Sequence, residues 1–178
     1  NRKVVIVGAG HVGSHVGYAL ISQSLADEIV YIDSDHAKAV AQALDLTDAT
    51  NYLPVRTKVI AGDYSDAKDA QIMIISAGPL PTGNQTRMDT LGQTIAILKD
   101  VTKSIKESGF DGIIVNISNP ADVITHYIQH TLNWAPSASS PPALRWTPQD
   151  CAARSRRRSA LTKNPSPLTR SASTGESQ

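Results

Sequence analysis

The sequence predicts an α/β fold, a doubly wound parallel sheet, over residues 1–137. Two observations support this fold class. Short apolar, β-branched runs without polar alternation, typical of strands buried on both faces of a sheet, alternate along the chain with segments whose apolar residues recur at helical spacing. A glycine-rich turn joins the first of these strands to the first helix. The alternation of strands with helices specifies parallel strands joined by right-handed crossovers.

The elements follow in a regular order. The predicted strands are KVVIV (3–7), EIVYID (28–33), KVIAG (58–62), AQIMIISAG (70–78) and GIIVNIS (112–118). The predicted helices are VGSHVGYALISQSLAD (12–27), HAKAVAQALDLTDA (36–49), a long segment from about Arg87 to Glu107, and ADVITHYIQHTL (121–132). The loop PLPTGNQT precedes the third helix, and Pro120 opens the fourth at the first-turn position that proline favours.

The glycine-rich turn contains the pattern Gly-x-Gly-x-x-Gly at Gly8, Gly10 and Gly13. A strand precedes it, a helix follows, and Asp33 comes 20 residues after Gly13 at the end of the second strand. Gly8 permits a tight turn, Gly10 lets a pyrophosphate approach the backbone, and Gly13 lets the helix pack closely on the sheet. Phosphates would face free N–H groups at the helix N-terminus. The pattern predicts a Rossmann-type dinucleotide site, with a flavodoxin-like sheet carrying incidental glycines as the alternative.

Asp33 also indicates which dinucleotide is bound. Its carboxylate can accept hydrogen bonds from the adenosine ribose hydroxyls, and its charge would repel a 2′-phosphate. NAD is therefore expected rather than NADP.

Two residues are candidates for the substrate side. Arg87 follows the loop and is predicted to open a helix, where a cation opposes the helix dipole, so a ligand is a reason for its position. Asn119 follows the strand GIIVNIS, at the sheet edge where open α/β sheets bind ligands. A helix N-cap ahead of Pro120 is an equally good interpretation of Asn119.

Composition limits the class of protein. The chain has 178 residues and a single cysteine, Cys151, so no internal disulfide can form. It holds no apolar run of 18 residues, and NRKVVIVGAG predicts a strand rather than a signal peptide. A cytoplasmic protein with no membrane span is expected.

Residues 138–178 differ in character from residues 1–137. They carry 7 Lys+Arg against 2 Asp+Glu, whereas residues 1–137 carry 10 against 14. They contain no Val, Ile, Phe, Met or Tyr but half of the ten prolines. Such a tail is expected to be irregular or disordered, or wrongly specified. RSRRRS (154–159) suggests a nucleic-acid patch, but no aromatic residues are interleaved with its arginines, so no nucleic-acid partner is expected.

Four segments together resemble the NAD-dependent L-lactate dehydrogenases and the related L-2-hydroxyisocaproate and malate dehydrogenases: VGAGHVGS, VYID, ISAGPLPTGNQTR and VNISNPADVIT. The resemblance implies hydride transfer between NAD and a small 2-keto or 2-hydroxy acid, in a homotetramer. It implies that Arg87 closes over the substrate and polarises its carbonyl, and that Asn119 binds the substrate oxygen near the nicotinamide, with Asp122 on the same turn. The cofactor site would comprise Gly8, Gly10, Val12, Gly13, Asp33, Lys38, Tyr64, Ala77, Gly78 and Asn119.

The loop departs from the family pattern where the substrate is chosen. Lactate-specific members usually carry glutamine six residues before the loop arginine, and malate-specific members carry arginine there. This chain has Pro81. The missing cation argues against malate and leaves lactate and a bulkier 2-hydroxy acid open.

The resemblance also requires a histidine, an aspartate and a second arginine downstream. The family's histidine lies in a Gly-Glu-His-Gly context, which none of the five histidines here has: His11, His15, His36, His126 and His130. His126 and His130 are spaced i, i+4 on a helix, a pattern more typical of a solvated face than of a metal site, so no metal is expected.

A shifted reading frame would explain the tail. Trp146 has the single codon TGG and Thr147 begins AC, so codons that start at the third base contain GAC, aspartate. With free choice of degenerate bases, 137–151 then reads R-V-I-S-T-G-T-A-L-D-T-A-R-L, which resembles the family's next segment with its aspartate and arginine. Residues 170–174 similarly give L-G-E-H, and one further base restores the frame at Gly175. If the chain is literally as written, only NAD binding without turnover is expected.

Overall fold

The computed structural model describes residues 1–54, 56–79, 83–84, 86 and 88–133. Strands and helices alternate along this part of the chain. The strands are β1 (Lys3–Val7), β2 (Glu28–Ile32), β3 (Lys58–Ala61), β4 (Ile72–Ile75) and β5 (Ile113–Asn116). The α-helices are α1 (His11–Ser22), α2 (His36–Thr50), α3 (Leu91–Ser108) and α4 (Ala121–Leu132). A short 3₁₀ helix, Tyr64–Ala67, follows β3.

The strands form one parallel sheet in the order β3-β2-β1-β4-β5. Val4 of β1 pairs with Ile29 on one side and with Ile72 on the other, so β1 is central. The chain proceeds outward from β1 in one direction to β3, and then returns to β4 and β5 on the other side. This reversal of strand order confirms the predicted doubly wound, Rossmann-type sheet.

Among the described elements, two helices cover each face of the sheet, which produces an apolar core on either side. On one face, Val5 and Val7 of β1 belong to a cluster with buried residues of α3 and α4, including Leu98 and Ile128. On the other, Val4 and Ile6 belong to a cluster with residues of α1 and α2. All five residues of β1 are buried, which explains why its sequence is apolar without alternation.

The start of α3 corrects one prediction. The helix begins at Leu91, with Thr90 as its N-cap, and not near Arg87. The argument that Arg87 opposes the dipole of this helix is therefore wrong, because the dipole acts within the first turn. The error arose because QTRMD carries no signal that separates a loop from a helix start.

The start of α4 corrects a second prediction. Pro120 is the N-cap of α4 and not its first helical residue, and the Asn119–Pro120 peptide bond is cis. The interpretation of Asn119 as the N-cap is wrong for the same reason. The predicted range of the helix itself, 121–132, is confirmed.

The expectations for residues 138–178 lie outside the described residues, as do Arg87 and Pro81. In the part of the chain that is described, no helix is both long and apolar enough to cross a membrane.

Candidate functional site

The glycine turn lies at the carboxyl end of the central strand, between β1 and α1, where the strand order reverses. Gly8 has φ +103°, in the region that favours glycine, and a Cβ there would lie 2.9 Å from the carbonyl oxygen of Ser76. A Cβ on Gly13 would overlap the carbonyl oxygen of Gly8. Gly10 differs from both, because the nearest atom of the described residues to a Cβ there is Lys38 Nζ at 3.8 Å. The turn is therefore packed tightly on the protein side and open above Gly10.

The open side of the turn is electropositive. Gly10 is the N-cap of α1, makes no side-chain cap, and is followed by a first turn without acidic residues. The N–H groups at the start of a helix carry partial positive charge and accommodate anions. A pyrophosphate above Gly10 would meet these groups, so the residues fit the phosphate-binding role that the sequence predicts.

Asp33, directly after β2, is tied to the glycine turn. Its Oδ2 accepts a hydrogen bond from the Ala9 backbone N–H at 2.7 Å, and its Oδ1 accepts one from the Asp35 N–H at 3.0 Å. Oδ1 also accepts a longer hydrogen bond from the exposed Ser34 hydroxyl at 3.4 Å. Oδ2 keeps an acceptor site, and rotation of the Ser34 hydroxyl frees one on Oδ1, so the carboxylate can still serve a ribose diol. The carboxylate therefore fixes the turn and remains available to a ligand.

Ser76, which the sequence analysis missed, holds the turn from the other side. Its hydroxyl lies 3.2 Å from the carbonyl oxygen of Val7 and 3.0 Å from that of Gly8, in position to donate to either. The available signal was a short hydroxyl residue at the end of β4, the strand next to β1.

A cavity of about 530 Å³ opens between the glycine turn, the end of β2, the 3₁₀ helix and α3; we call it the cofactor cavity. Seven residues predicted to bind the cofactor line it: Gly8, Gly10, Asp33, Lys38, Tyr64, Ala77 and Gly78. Val12 does not line it and is 50% exposed on the first turn of α1. Gly13 is buried behind the turn, where it serves packing.

Tyr64 lies in an acidic part of the cavity. Burial, together with the carboxylates of Asp33 and Asp100, raises the pKa of Tyr64 to about 12. Its hydroxyl therefore keeps its proton at neutral pH and can donate a hydrogen bond. Lys38 is the one cationic side chain among the described residues that line the cavity.

Asn119 does not line the cofactor cavity but is exposed at the same carboxyl edge, after β5. Its loop is held by neighbours that the sequence analysis did not single out. Buried Asn116 donates from Nδ2 to the Ala121 carbonyl oxygen and to Thr125 Oγ1. Ser118 donates from Oγ to the Ala77 carbonyl oxygen at 2.7 Å. The segment of Asn119 is thus tied to the segment of Ala77, which lines the cavity.

The remaining polar candidates do not converge. Asp122 is exposed in the first turn of α4, where its charge suits the helix dipole. The rings of His11 and His15 pack edge to face on the exposed side of α1, with their centroids 5.2 Å apart. Within the described ranges, no three histidine, cysteine, aspartate or glutamate side chains are grouped as metal ligands would be.

Fold and cavity together define a dinucleotide-binding α/β protein. Residues 2–137 match the family described as lactate/malate dehydrogenase, NAD binding domain. The chain belongs to the lactate/malate dehydrogenase family, and NAD is the cofactor of this domain.

Individual relatives agree with the family. Over 127 residues the chain is 46% identical to L-lactate dehydrogenase 3 of Bacillus cereus, a match that covers 71% of this chain and 40% of the relative. It is 44% identical over 126 residues to L-lactate dehydrogenase 1 of Bifidobacterium longum, with the same coverage. The ligand-bound crystal structure of the minor L-lactate dehydrogenase from Enterococcus mundtii superposes with a TM-score of 0.73 at 39% identity, covering 77% of this chain and 44% of that one. The chain spans less than half the length of these relatives.

Proposed function

We propose that the chain is the cofactor-binding part of an L-2-hydroxy-acid dehydrogenase that transfers hydride between NAD(H) and pyruvate/L-lactate or a bulkier analogue. The observation that carries the proposal is the cofactor cavity, where an open, uncapped helix N-terminus and a fixed carboxylate lie where a pyrophosphate and an adenosine ribose would bind. Its similarity to L-lactate dehydrogenases supports the reaction class.

The chain's own residues would bind and orient the cofactor. The N–H groups at the start of α1 would hold the pyrophosphate, with Lys38 Nζ close to Gly10. Asp33 would accept the ribose hydroxyls and disfavour a 2′-phosphate. When bound, NAD supplies the hydride acceptor, and its placement is the protein's contribution.

On the substrate side, Arg87 and Asn119 keep the roles that the resemblance implies. Arg87 would polarise the substrate carbonyl, and Asn119 would hydrogen-bond the substrate oxygen. The exposed position of Asn119 at the carboxyl edge of β5 supports its part, because ligands of doubly wound sheets bind at that edge. Pro81 in place of a cation supports a monocarboxylate substrate over malate.

A second candidate function follows from the printed sequence. Hydride transfer to a 2-keto acid needs a general acid, and no histidine here stands in a Gly-Glu-His-Gly context. If residues 138–178 are the true polypeptide, we propose an NAD-binding protein without dehydrogenase turnover. If they record a shifted reading frame, the encoded enzyme has the missing histidine, aspartate and arginine.

Two measurements separate these candidates. Intact mass of the purified protein, with resequencing of its coding DNA, decides whether residues 138–178 are physical. NADH oxidation with pyruvate, and with a branched 2-keto acid, then measures turnover. A protein that has the mass of the printed sequence and reduces pyruvate would contradict the second candidate. A frame-corrected protein that binds NADH but reduces no 2-keto acid would contradict the first.

We also propose that the complete enzyme is a cytoplasmic homotetramer. Leu44 on α2 and Tyr52 just after it are 62% and 89% exposed, which supports a surface that another subunit covers. Sedimentation velocity of the frame-corrected protein tests this, and a monomer at micromolar concentration would contradict it.

A further inference from the structure

The end of the cofactor cavity that α3 forms has a chemistry of its own. Ile97, Asp100, Val101 and Ser104 line it, at the spacing i, i+3, i+4 and i+7 that places residues on one helix face. Ile97 and Val101 supply apolar surface, whereas Asp100 and Ser104 supply polar groups beside it. A flat aromatic ring with a polar edge is the kind of ligand that such a wall fits.

The Asp100 carboxylate does not hold the described part of the fold together. It is exposed, and among the described residues its carboxylate makes neither an ion pair nor a hydrogen bond. Its charge nevertheless reaches the cavity, because it acts on the Tyr64 hydroxyl from the α3 side as Asp33 does from the β2 side. The carboxylate is thus an acceptor that is available to a ligand.

Two other polar features of the cavity already have partners in a bound dinucleotide. The pyrophosphate belongs at the start of α1, and the ribose diol belongs at Asp33. An ionised carboxylate only accepts hydrogen bonds, so Asp100 requires a donor. The donor that remains on the adenosine half is the exocyclic amino group of the base.

We propose that Asp100 accepts a hydrogen bond from the 6-amino group of adenine, which makes the cavity selective for a 6-aminopurine over a 6-oxopurine. The inference goes beyond dehydrogenase activity and rests only on NAD binding. In a 6-oxopurine, a carbonyl oxygen replaces the amino group, so two acceptors would face each other. Selectivity of this kind comes from the unfavourable contact as well as from the favourable one.

The test compares NADH with reduced nicotinamide hypoxanthine dinucleotide, whose base carries a carbonyl oxygen in place of the 6-amino group and a proton on the adjacent N1. Both are titrated by calorimetry into the full chain and into Asp100→Asn and Asp100→Ser. The wild type should bind NADH more tightly, and each variant should lower that preference about fivefold, as expected for one partly exposed hydrogen bond to a charged group. Because Asp100 is exposed, the variants should unfold at the same temperature as the wild type.

Asp111→Asn is the matched control, because Asp111 is also exposed but precedes β5 at the opposite edge of the sheet. It should leave both affinities unchanged. Equal weakening of both dinucleotides by Asp100→Asn would overturn the proposal, because a general effect of charge does not distinguish the bases. A gain in NADPH affinity without a change in base preference would also overturn it and place Asp100 at the ribose. Base selectivity in a frame-corrected protein that reduces no 2-keto acid would uphold the proposal while contradicting the dehydrogenase.

Discussion

The two edges of the sheet use charge in opposite ways. At the amino edge, where the strands begin, Lys3 pairs with Asp69 at 2.7 Å and with Glu28 at 4.0 Å, and Lys58 approaches Glu28 at 3.6 Å. At the carboxyl edge, none of the charged side chains that line the cofactor cavity is in an ion pair with another described residue. Charges paired within the protein join neighbouring segments, whereas unpaired charges remain available to a ligand.

Lys3 shows what pairing achieves at the amino edge. It is 7% exposed, and burial alone would lower its pKa. The hydrogen bond to Asp69 and the charges of Glu28 and Asp69 outweigh burial and hold the pKa of Lys3 above its ordinary value. The ammonium group thereby connects the starts of β1 and β2 to the segment before β4.

The largest expected effect belongs to the carboxyl edge. Gly13→Ala places a methyl group on the Gly8 carbonyl oxygen, so α1 must move away from the turn. We expect the free energy of unfolding to fall by about 3 kcal/mol and NADH affinity to fall at least about tenfold. Urea denaturation and NADH titration measure these changes.

Gly92→Ala is the control for this substitution, because no atom of the described residues lies within 4 Å of a Cβ at Gly92 in α3. It should raise the free energy of unfolding by about 0.5 kcal/mol. If Gly13→Ala bound NADH as tightly as the wild type, the glycine turn would tolerate displacement of α1, contrary to this prediction.

Asp33→Ala should have the next largest effect, mainly on binding. It removes the acceptor for the ribose and leaves the buried Ala9 N–H without its partner, so NADH affinity should fall about thirtyfold and the free energy of unfolding by about 1 kcal/mol. Calorimetric titration measures the affinity. An unchanged affinity would contradict the assignment of Asp33 to the cofactor.

Lys3→Met, at the amino edge, should affect stability rather than NADH binding. It leaves Glu28 and Asp69 without this cation, but Asp69 is 71% exposed and stays hydrated, so we expect a loss of about 1 kcal/mol in stability. NADH affinity should not change, because the cofactor cavity lies at the other edge. If Lys3→Met were fully folded but bound NADH ten times more weakly than the wild type, charges at the amino edge would affect the cofactor cavity, and the proposed division of roles between the two edges would be wrong.

The smallest expected effect on stability comes from the pair of Arg2 and Asp27. Hydrogen bonds from the Arg2 side chain and backbone hold the pKa of Asp27 at about 2. Because this pKa is depressed in the folded state, the contribution of Asp27 is present above about pH 4 and disappears as pH falls through about 2. The difference in urea midpoint between wild type and Asp27→Asn should therefore fall to a small fraction of its neutral-pH value between pH 4 and pH 2. A difference at pH 2 as large as that at pH 7 would argue against the pairing.

Much of the fold could be predicted because strand order and local pattern agree. KVVIV is apolar because β1 is central, and the spacing of the glycines fits the turn on which α1 begins. The start of α3 could not be predicted, because propensity does not distinguish a loop from a first turn in QTRMD. Ser76 and Asn116 were missed because their roles depend on backbone oxygens distant in sequence or on a turn that only the fold creates.

The hydrogen bonds that the Asp33 carboxylate accepts limit how cofactor preference can be changed. One oxygen accepts the Ala9 N–H, so the residue that would contact the ribose also shapes the turn that would hold the pyrophosphate. A substitution that admits a 2′-phosphate by removing this carboxylate also releases Ala9. A change of preference toward NADP in this chain therefore needs at least two substitutions, one that accepts the new phosphate and one that restores the lost acceptor for the turn.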